Sequence, residues 1–589
     1  MSGRRPGSVR VERLSYWYPG AADAALRDID LTIEPGEFVL LAGASGSGKS
    51  TLALALAGLI PNRIPGRLAG QVVVDGRIIA ALEPVEAARC AGMVFQNPDD
   101  QVLQPVVEAE VAFGPENQGL TADEIRRRVE EALAVTGISG LRRSLTPSLS
   151  GGEKQRVAIA ATLAMGPSLL LLDEPCSDLD PQGAQQVLGV LRRLNRERGV
   201  TVVLIEHRID EVASWVDRVV LLGAGGVVLD RPVREAFVDT TPWTAEGVAV
   251  PEVVRLANAL PEVFGTSRTP LSSKEAADHL AGRPEGAALA ASATLPVPSP
   301  PRSGASGDGR AAFHWSSVDL AFGAKQVLRG LTADVERGSW TALAGPNGSG
   351  KTSMAAMAMG LVTPTGGSVE TLGRVVRRGR ISEQAARVGY LFQSADSMLF
   401  SRTVAQELSF GHRWSGAGRD PAEEAELLSV TGLAGVRDRD PFTLSHGQRQ
   451  RLALAALLSR GAEALLLDEP TTGQDEAHAQ AFLSLLGRVR KQAGSTLVMI
   501  THDMRAVARH ADRLVVILDG TVHLAGPPAR VFAHREQLQA AHIVPPPIAD
   551  LHGRLAGPEA RRVALTVDEL VRDLVTASPG SMATGATGA

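Results

Sequence analysis

The chain has 589 residues, enough for about three to four compact domains, and its 44% hydrophobic and 21% charged residues are typical of globular protein. The formal net charge of −5 argues against a nucleic-acid-binding protein, which usually carries a basic excess. The two cysteines, Cys90 and Cys176, are too few for a disulfide scaffold and fit a reducing compartment.

The chain starts with two arginines that no apolar segment follows, so we expect no signal peptide. The longest apolar runs are far too short to cross a bilayer. If the protein acts at a membrane, we expect other chains to supply the spanning helices.

The first element with a chemical signature is a predicted strand, a glycine-rich loop and a helix. An apolar run at residues 38–41 leads into GASGSGKST, and helix-forming residues follow as far as 59. Such a loop surrounds phosphates with backbone N–H groups, its lysine reaches the β and γ phosphates, and the next hydroxyl binds Mg²⁺. The alternative is a chance glycine-rich turn. The predicted ATP-binding residues are Gly43, Ala44, Ser45, Gly46, Ser47, Gly48, Lys49, Ser50 and Thr51.

Four further residues in the first half carry polar side chains directly after apolar or β-rich runs. The buried strand LLLL ends in Asp173, predicted to hold Mg²⁺, and Glu174, predicted to polarise the attacking water as a general base. An acid pair that caps the next helix is the alternative for these two. His207 follows a β-rich run and can donate to the γ phosphate, whereas Gln96 follows an apolar pair and can touch Mg²⁺ or the water.

The same signals recur in the second half at nearly constant spacing. Lys49 and Lys351 are 302 positions apart, and the signature, Glu and His positions are each 295 apart. This pattern indicates duplication of a whole domain. The second ATP-binding loop comprises Gly345, Pro346, Asn347, Gly348, Ser349, Gly350, Lys351, Thr352 and Ser353. The second predicted catalytic pair is Glu469 and His502, and the second metal ligands are Thr352, Gln393 and Asp468.

Aromatic residues ahead of the first strands are candidates to stack on adenine. We predict Tyr18 and Phe322 for this role, with Tyr16 and Trp17 as rivals and core packing as the alternative.

The repeat predicts the domain boundaries. ATPase domains are expected at residues 9–237 and 312–533, each with a small helical C-terminal extension, at 238–280 and 534–576. Between them, 22 of the 31 residues at 281–311 are Ala, Pro, Gly or Ser, which predicts a disordered linker. Residues 577–589 are predicted to be a disordered tail.

The sequence LSGGE at residues 149–153, together with the motifs above, resembles the ATP-binding-cassette (ABC) ATPases over nearly the whole chain. The resemblance implies an α/β fold with two tandem P-loop nucleotide-binding domains, each a RecA-like core plus a helical subdomain, with ATP and Mg²⁺ as cofactors. It also implies that the two cassettes pair within the chain, each signature closing over the nucleotide of the other. The signature residues concerned are Ser150, Gly152, Ser445 and Gly447.

The two implied sites are unequal. The site built on Lys49 and Glu174 takes the second signature, LSHGQ, in which His446 replaces glycine and is tolerable only without positive φ. The turn at residues 472–475 also differs from its counterpart at 177–180. We therefore predict two competent sites, of which the first is the slower.

A narrower resemblance concerns FQNPDDQ at residues 95–101 and VAFGPENQGL at 111–120, which look like the energy-coupling-factor importers of vitamins and transition metals. That group implies an integral-membrane coupling protein and a substrate-capturing membrane protein as partners, no nucleic acid, and a peripheral location on the cytoplasmic face of the cell membrane. The second half keeps only part of this pattern, so its docking surface is expected to differ.

Two other functions stay open. A tandem-cassette ATPase acting on ribosomes usually has a long, charged, helical linker, which the Pro-rich stretch at 281–311 does not resemble. The ATPase of an exporter is the other alternative. The transported substrate is not encoded in this chain, because in the importer group a separate membrane protein selects it.

Overall fold

We describe a computed structural model over residues 7–176, 179, 181–265, 269–295, 311–393, 395–415, 421–472, 474 and 476–577. The chain divides into two compact units, Met1–Ser272 with Asp475–Ala477, and Ser273–Gln474 with His478–Ala589. No helix in these ranges combines the length and the apolar character that a membrane span requires.

The first unit contains two sheets. Its strands are β1 (Val9–Trp17), β2 (Leu26–Ile33), β3 (Phe38–Gly43), β4 (Arg67–Val74), β5 (Arg77–Ile78), β6 (Ala91–Val94), β7 (Leu169–Asp173), β8 (Thr201–Ile205), β9 (Arg218–Gly223) and β10 (Gly226–Pro232). An antiparallel sheet has the order β2-β1-β4-β5, and a mostly parallel one the order β10-β9-β3-β8-β7-β6. Every residue of β3 and β8 is buried, as expected for parallel strands covered on both faces.

Helices cover these sheets and form a separate subdomain. They are α1 (Lys49–Leu56), α2 (Pro84–Cys90), α3 (Val107–Asn117), α4 (Ala122–Val135), α5 (Gly151–Ala164), α6 (Pro181–Arg198), α7 (Ile209–Val212), α8 (Val233–Ala236), α9 (Thr241–Ala245), α10 (Glu252–Ala259) and α11 (Pro261–Phe264). Helices α3, α4 and α5 share an apolar cluster that includes Val111, Leu133 and Val157. This cluster is the core of the helical subdomain.

The second unit repeats both sheets. Its strands are β11 (Ala311–Phe322), β12 (Lys325–Glu336), β13 (Trp340–Ala344), β14 (Gly366–Thr371), β15 (Arg374–Val375), β16 (Val388–Leu391), β17 (Ala464–Asp468), β18 (Thr496–Ile500), β19 (Arg513–Leu518) and β20 (Thr521–Gly526). The strand orders, β12-β11-β14-β15 and β16-β17-β18-β13-β19-β20, match those of the first unit. The α/β fold with two tandem cassettes is therefore confirmed.

The helices from Ser273 onward complete the second unit. They are α12 (Ser273–Leu280), α13 (Pro284–Ser292), α14 (Lys351–Ala358), α15 (Ile381–Ala385), α16 (Val404–Ser415), α17 (Pro421–Val430), α18 (His446–Leu458), α19 (Glu476–Ala493), α20 (Met504–His510), α21 (Pro528–Val531), α22 (Arg535–Ala540), α23 (Pro547–Ala556) and α24 (Val567–Ala577).

The connection between the halves differs from the sequence prediction. The first extension was expected to run to 280, but it leaves the first unit at Ser272, since Leu271 still packs in the core of that unit. The disordered linker predicted at 281–311 is wrong for α13, which packs with α12 on α23 and α24. The rest of that stretch, 296–310, and most of the predicted tail, 578–589, lie outside the described residues.

A buried histidine explains why this Ala-rich segment is ordered. His552 is fully buried, and its Nδ1 accepts the N–H of Ala564 at 2.9 Å. Its Nε2 therefore carries the proton and donates to the carbonyl of Leu289 at 2.8 Å, near the end of α13. Burial lowers the pKa of His552, which keeps the ring neutral. At α12, the Ser273 hydroxyl donates to Asp550 at 2.6 Å.

Cutting the chain inside residues 296–310 is therefore expected to leave its two pieces together. Apolar burial and the His552 contacts hold α12 and α13 on the other piece without a covalent link. A protease site inserted after Arg302, followed by cleavage and gel filtration, measures this. The Leu289→Asp variant, which puts a charge at a fully buried position, is the matched control expected to weaken the cut complex. Separation of the cut parent chain would contradict the assignment.

Candidate functional site

The two glycine-rich loops lie where the sequence predicts, between a buried strand and a helix. In the first, Lys49 is 5% exposed and its Nζ donates to the carbonyls of Gly43 and Ala44, both at 2.8 Å. In the second, Lys351 donates to Gly345 at 2.7 Å and Pro346 at 2.9 Å. The ammonium group therefore lies across the mouth of the loop, where phosphates would bind.

Backbone geometry and an unsatisfied hydroxyl show that these loops fit phosphate. Gly43 has φ 151°, and a Cβ there would lie 2.5 Å from both the Leu222 carbonyl and the Ser47 hydroxyl. The Ser47 hydroxyl is buried with no hydrogen-bond partner among the described residues, and Ser349 repeats this in the second loop. An orphaned donor repeated at the same loop position fits an anionic ligand.

The predicted metal ligands also meet at the loops. The Ser50 hydroxyl hydrogen-bonds to Asp173, and the Thr352 hydroxyl does the same to Asp468. Burial raises the pKa of both carboxyl groups, although these hydroxyls oppose the shift. A hydroxyl and a carboxylate side by side are hard oxygen ligands that suit Mg²⁺. In the second unit the Tyr390 hydroxyl also donates to Asp468, at 3.2 Å.

In the first unit, three predicted residues meet at one carboxylate. His207 Nε2 lies 2.8 Å from Glu174 Oε1, and Gln96 Nε2 donates to Glu174 Oε2 at 3.1 Å. Each carboxylate oxygen of the predicted general base, Glu174, thus contacts one side chain, His207 or Gln96. A bound water or phosphate could replace either contact.

The second unit holds its glutamate differently. His502 Nε2 lies 3.4 Å from Glu469 Oε1, but this oxygen is buried and makes no hydrogen bond within the described residues. The ring instead lies 3.2 Å from the Asn347 amide oxygen. Burial, followed by the charge of Asp468, raises the pKa of Glu469 to about 8.

Both glutamates adopt the same strained backbone. Glu174 and Glu469 each have φ 48°, a left-handed conformation that costs a non-glycine residue about 1–3 kcal/mol. Their N–H groups donate to Ile205 and Ile500, the last residues of β8 and β18, at 3.0 and 2.9 Å. Strain that recurs at equivalent positions is typical of functional sites.

The signature serines are exposed, and each begins a helix. Ser150 forms a capping box with Glu153 at the start of α5, and Ser445 forms one with Gln448 at the start of α18. His446 is the first residue of α18, so its backbone is helical and the replacement of glycine is accommodated. Gly152 and Gly447 lie in the same first turns. The pairing of each signature with the opposite nucleotide stays a prediction, and residues 177, 178, 180, 473 and 475 lie outside the described residues.

The aromatic candidates separate by burial. Tyr18 is half-buried, and its hydroxyl lies 3.1 Å from the Thr51 hydroxyl of the loop helix. Phe322 is 55% exposed at the end of β11. Tyr16 is fully buried and donates to the Pro65 carbonyl, which makes it a core residue, and Trp17 packs under the Arg67 guanidinium. Adenine stacking on Tyr18 and Phe322 stays a prediction.

Comparison with known proteins identifies the family. The family model described as ABC transporter matches residues 26–177 and 328–472. The chain belongs to the ABC transporter family. A protein of Methanosarcina acetivorans provisionally named ABC transporter ATP-binding protein is 37% identical to this ABC protein over 578 residues, covering 96% of this chain and 92% of its own.

Two further comparisons concern transport complexes. A Bacillus subtilis protein provisionally named HMP/thiamine import ATP-binding protein YkoD is 33% identical over 534 residues, covering 90% of this chain and 93% of its own. The solved structure of cbiO1 from Clostridium perfringens, part of the ABC transporter complex cbiONQ, is 34% identical and covers 43% of this chain and 99% of its own, with a TM-score of 0.37. The family match and the Methanosarcina acetivorans relative make this ABC protein an ATP-hydrolysing, ATP-binding subunit of a transporter.

Sequence reasoning missed two buried glutamates beyond the Gln96 and Gln393 loops. Glu110 is 4% exposed and accepts the N–H groups of Leu103 and Gln104 at 2.8 and 2.6 Å. Glu407, 2% exposed, accepts those of Phe400 and Ser401 at 3.1 and 2.8 Å. The two glutamates are 297 positions apart, the same offset as Gln96 and Gln393, and that shared offset was the available signal.

Proposed function

We propose that this chain is the energy-coupling ATPase of an importer of the energy-coupling-factor type, for a vitamin or a transition-metal ion. It would lie on the cytoplasmic face of the membrane, bound to an integral-membrane coupling protein that works with a substrate-capturing membrane protein. The surface next to the Gln96 and Gln393 loops is the observation that carries this proposal.

That surface presents an apolar side chain on a rigid support in each unit. Leu103 is 69% exposed although its backbone is held by the buried Glu110 carboxylate. Phe400 is 60% exposed on a backbone held in the same way by Glu407. Ordering a loop so that it exposes an apolar group costs free energy, which a bound partner would recover by burying that group.

The partner that fits is an apolar segment of a membrane protein. In the first unit, Phe113 and Leu145 are also exposed on the helical subdomain, at 38% and 58%. In the second, Phe400 packs edge-on against Phe410 at 4.6 Å, and Phe442 is 56% exposed. The two surfaces are similar in character but differ in shape, which suits an asymmetric partner. The Bacillus subtilis relative, which is named for HMP/thiamine import, supports import as the direction of transport.

The same surfaces connect to the proposed chemistry. Gln96 lies next to the surface around Leu103 and donates to Glu174, so a shift of this loop alters the site of the general base. Glu174 takes a proton from the attacking water, and His207 orients that carboxylate and donates to the γ phosphate. Mg²⁺, held by Ser50, Asp173 and Gln96, would neutralise phosphate charge. In the second unit Thr352, Asp468 and Gln393 would hold Mg²⁺ and Glu469 would take the proton, whereas His502 lies closer to the Asn347 amide oxygen than to Glu469 Oε1.

Replacing Leu103 and Phe400 together with aspartate is expected to abolish recovery of the membrane partners. The change places charge on two exposed apolar contacts without altering the buried glutamates, so ATP hydrolysis by the isolated chain should stay within about twofold. Co-purification from detergent-solubilised membranes, together with ATPase rates, measures both effects. Val238→Asp, a charge at a 57% exposed valine of the first unit, is the matched control.

The proposal as a whole is tested by identifying the integral proteins that co-purify with the unmodified chain. Recovery of a coupling protein with a substrate-capturing protein supports it. Association with ribosomes and not with membranes would overturn it in favour of the translation alternative, and recovery of an exporter's membrane domain would overturn the direction of transport.

A further inference from the structure

The first unit contains a buried carboxylate that the proposed mechanism does not use. Glu206 follows the last residue of β8 and precedes His207, and it is 4% exposed. A buried carboxylate is costly unless its oxygens are paired, so its partners indicate what it holds in place.

Those partners lie in the segment that follows the proposed general base. Glu206 Oε1 accepts the N–H of Cys176 at 3.2 Å. The guanidinium of Arg208, on the other side of His207, donates to the carbonyl of Cys176. Cys176 is itself 2% exposed, two positions after Glu174. Both peptide groups of this buried residue are therefore fixed by the neighbours of His207.

These contacts link the two elements that carry the hydrolytic residues. The N–H of Glu174 donates to Ile205, so the segment from Glu174 to Cys176 is attached to the end of β8 along its length. We propose that Glu206 is a positioning residue of the first site: by holding Cys176, it keeps the Glu174 carboxylate between His207 and Gln96. This inference rests on the proposed role of Glu174.

The second unit lacks this arrangement. The position equivalent to Glu206 is Thr501, whose hydroxyl accepts the N–H of Asp503 at 3.0 Å. Asp503, equivalent to Arg208, caps α20 by accepting the N–H groups of Arg505 and Ala506. Both side chains thus form hydrogen bonds within their own turn. No glutamate stands at the position of Glu206 to hold the segment after Glu469. The proposed positioning is a property of the first site.

The charge of Glu206 makes this positioning sensitive to pH. The pKa of Glu206 is raised to about 7: burial is the largest cause, Arg208 and the Cys176 hydrogen bond oppose it, and the carboxylates of Glu211 and Glu174 add to it. Above pH 7 the ionised carboxylate is the stronger acceptor for the Cys176 N–H and attracts Arg208. Below pH 7 protonation weakens both contacts, so hydrolysis at the first site is expected to rise with pH through about 7.

The test compares pH profiles of steady-state ATP hydrolysis by the full chain between roughly pH 5.5 and 8.5. The parent of this series carries Glu469→Gln, so that only the first site keeps its proposed general base and its turnover is what the rate reports. Glu206→Gln, a neutral isostere, is expected to remove an inflection near pH 7 that the parent shows. Glu206→Thr, which installs the second unit's residue, is expected to lower kcat about tenfold and to leave KM for ATP within about threefold, because misplacement affects the chemical step more than binding. Glu211→Gln, on a nearby partly exposed carboxylate, is the matched control.

The outcomes separate this inference from the function on which it rests. An unchanged inflection and kcat in both Glu206 variants overturn the positioning role, provided that Glu174→Gln lowers the rate. If Glu174→Gln itself leaves the rate unchanged, the proposed role of Glu174 is what fails. If Glu211→Gln removes the inflection and the Glu206 variants do not, the titrating group is Glu211 and the inference is also overturned.

Discussion

Replacing Glu174 and Glu469 together with glutamine is expected to lower ATP hydrolysis by roughly two to four orders of magnitude. Glutamine keeps the size of the side chain and one acceptor oxygen but cannot take a proton from water. His207 lies 2.8 Å from Glu174, and the lysines of both loops stay in place, so ATP binding should persist. Phosphate release and binding of a fluorescent ATP analogue measure the two properties.

The single variants distinguish the two sites. Because the first site is predicted to be the slower, Glu469→Gln should reduce the overall rate more than Glu174→Gln. Equal reductions would contradict the predicted inequality, and a double variant that still hydrolyses ATP at the parent rate would contradict the general-base assignment. Glu559→Gln, a glutamate in the C-terminal extension, is the matched control and should leave the rate unchanged.

Replacing Lys49 and Lys351 with methionine is expected to weaken ATP binding by about tenfold to a hundredfold, the loss typical of a charge-assisted hydrogen bond. Each ammonium lies across its loop on two carbonyl oxygens, and a phosphate that takes over this contact needs its positive charge. Methionine keeps most of the apolar volume of these buried side chains, so the fold should survive.

Calorimetric titration with ATP, alongside the melting temperature, measures this loss. Lys491→Met, an exposed lysine at the end of α19, controls for the change of net charge. If the loop variants bound ATP as tightly as the parent, the lysines would not contact the phosphates.

The sequence predicted most of the local chemistry, because a phosphate loop is encoded in consecutive residues. Gly43 and Gly48 adopt the positive φ angles that the loop requires. The residue types on either side of the loop predict the strand before it and the helix after it. The separation of Tyr18 from Tyr16 could not be predicted, since Tyr16 lies within β1 and Tyr18 just past its end, and only the packed sheet shows that Tyr16 belongs to the core.

The buried carboxylates were missed for a related reason. Glutamate is a residue type that is found mostly at the protein surface. Only the folded chain shows that the carboxylates of Glu110, Glu206 and Glu407 accept hydrogen bonds from backbone N–H groups. The sequence did not predict that α13 is folded, because an Ala-rich stretch cannot form a core by itself. In the structure Leu289 is buried where α13 packs against α23 and α24.

The chain passes from the first unit to the second at Ser272, so the Pro-rich stretch further along is not the link between the two units. The described residues that flank 296–310, Leu295 and Ala311, both belong to the second unit, so this stretch connects two points of one unit. Doubling the length of such a loop costs about 0.6 kcal/mol of closure entropy. Evolution and protein engineering can therefore lengthen, shorten or label it freely. The step from Leu271 to Ser273, in contrast, is where the chain passes from one unit to the other, so an insertion there would alter the connection between the two units.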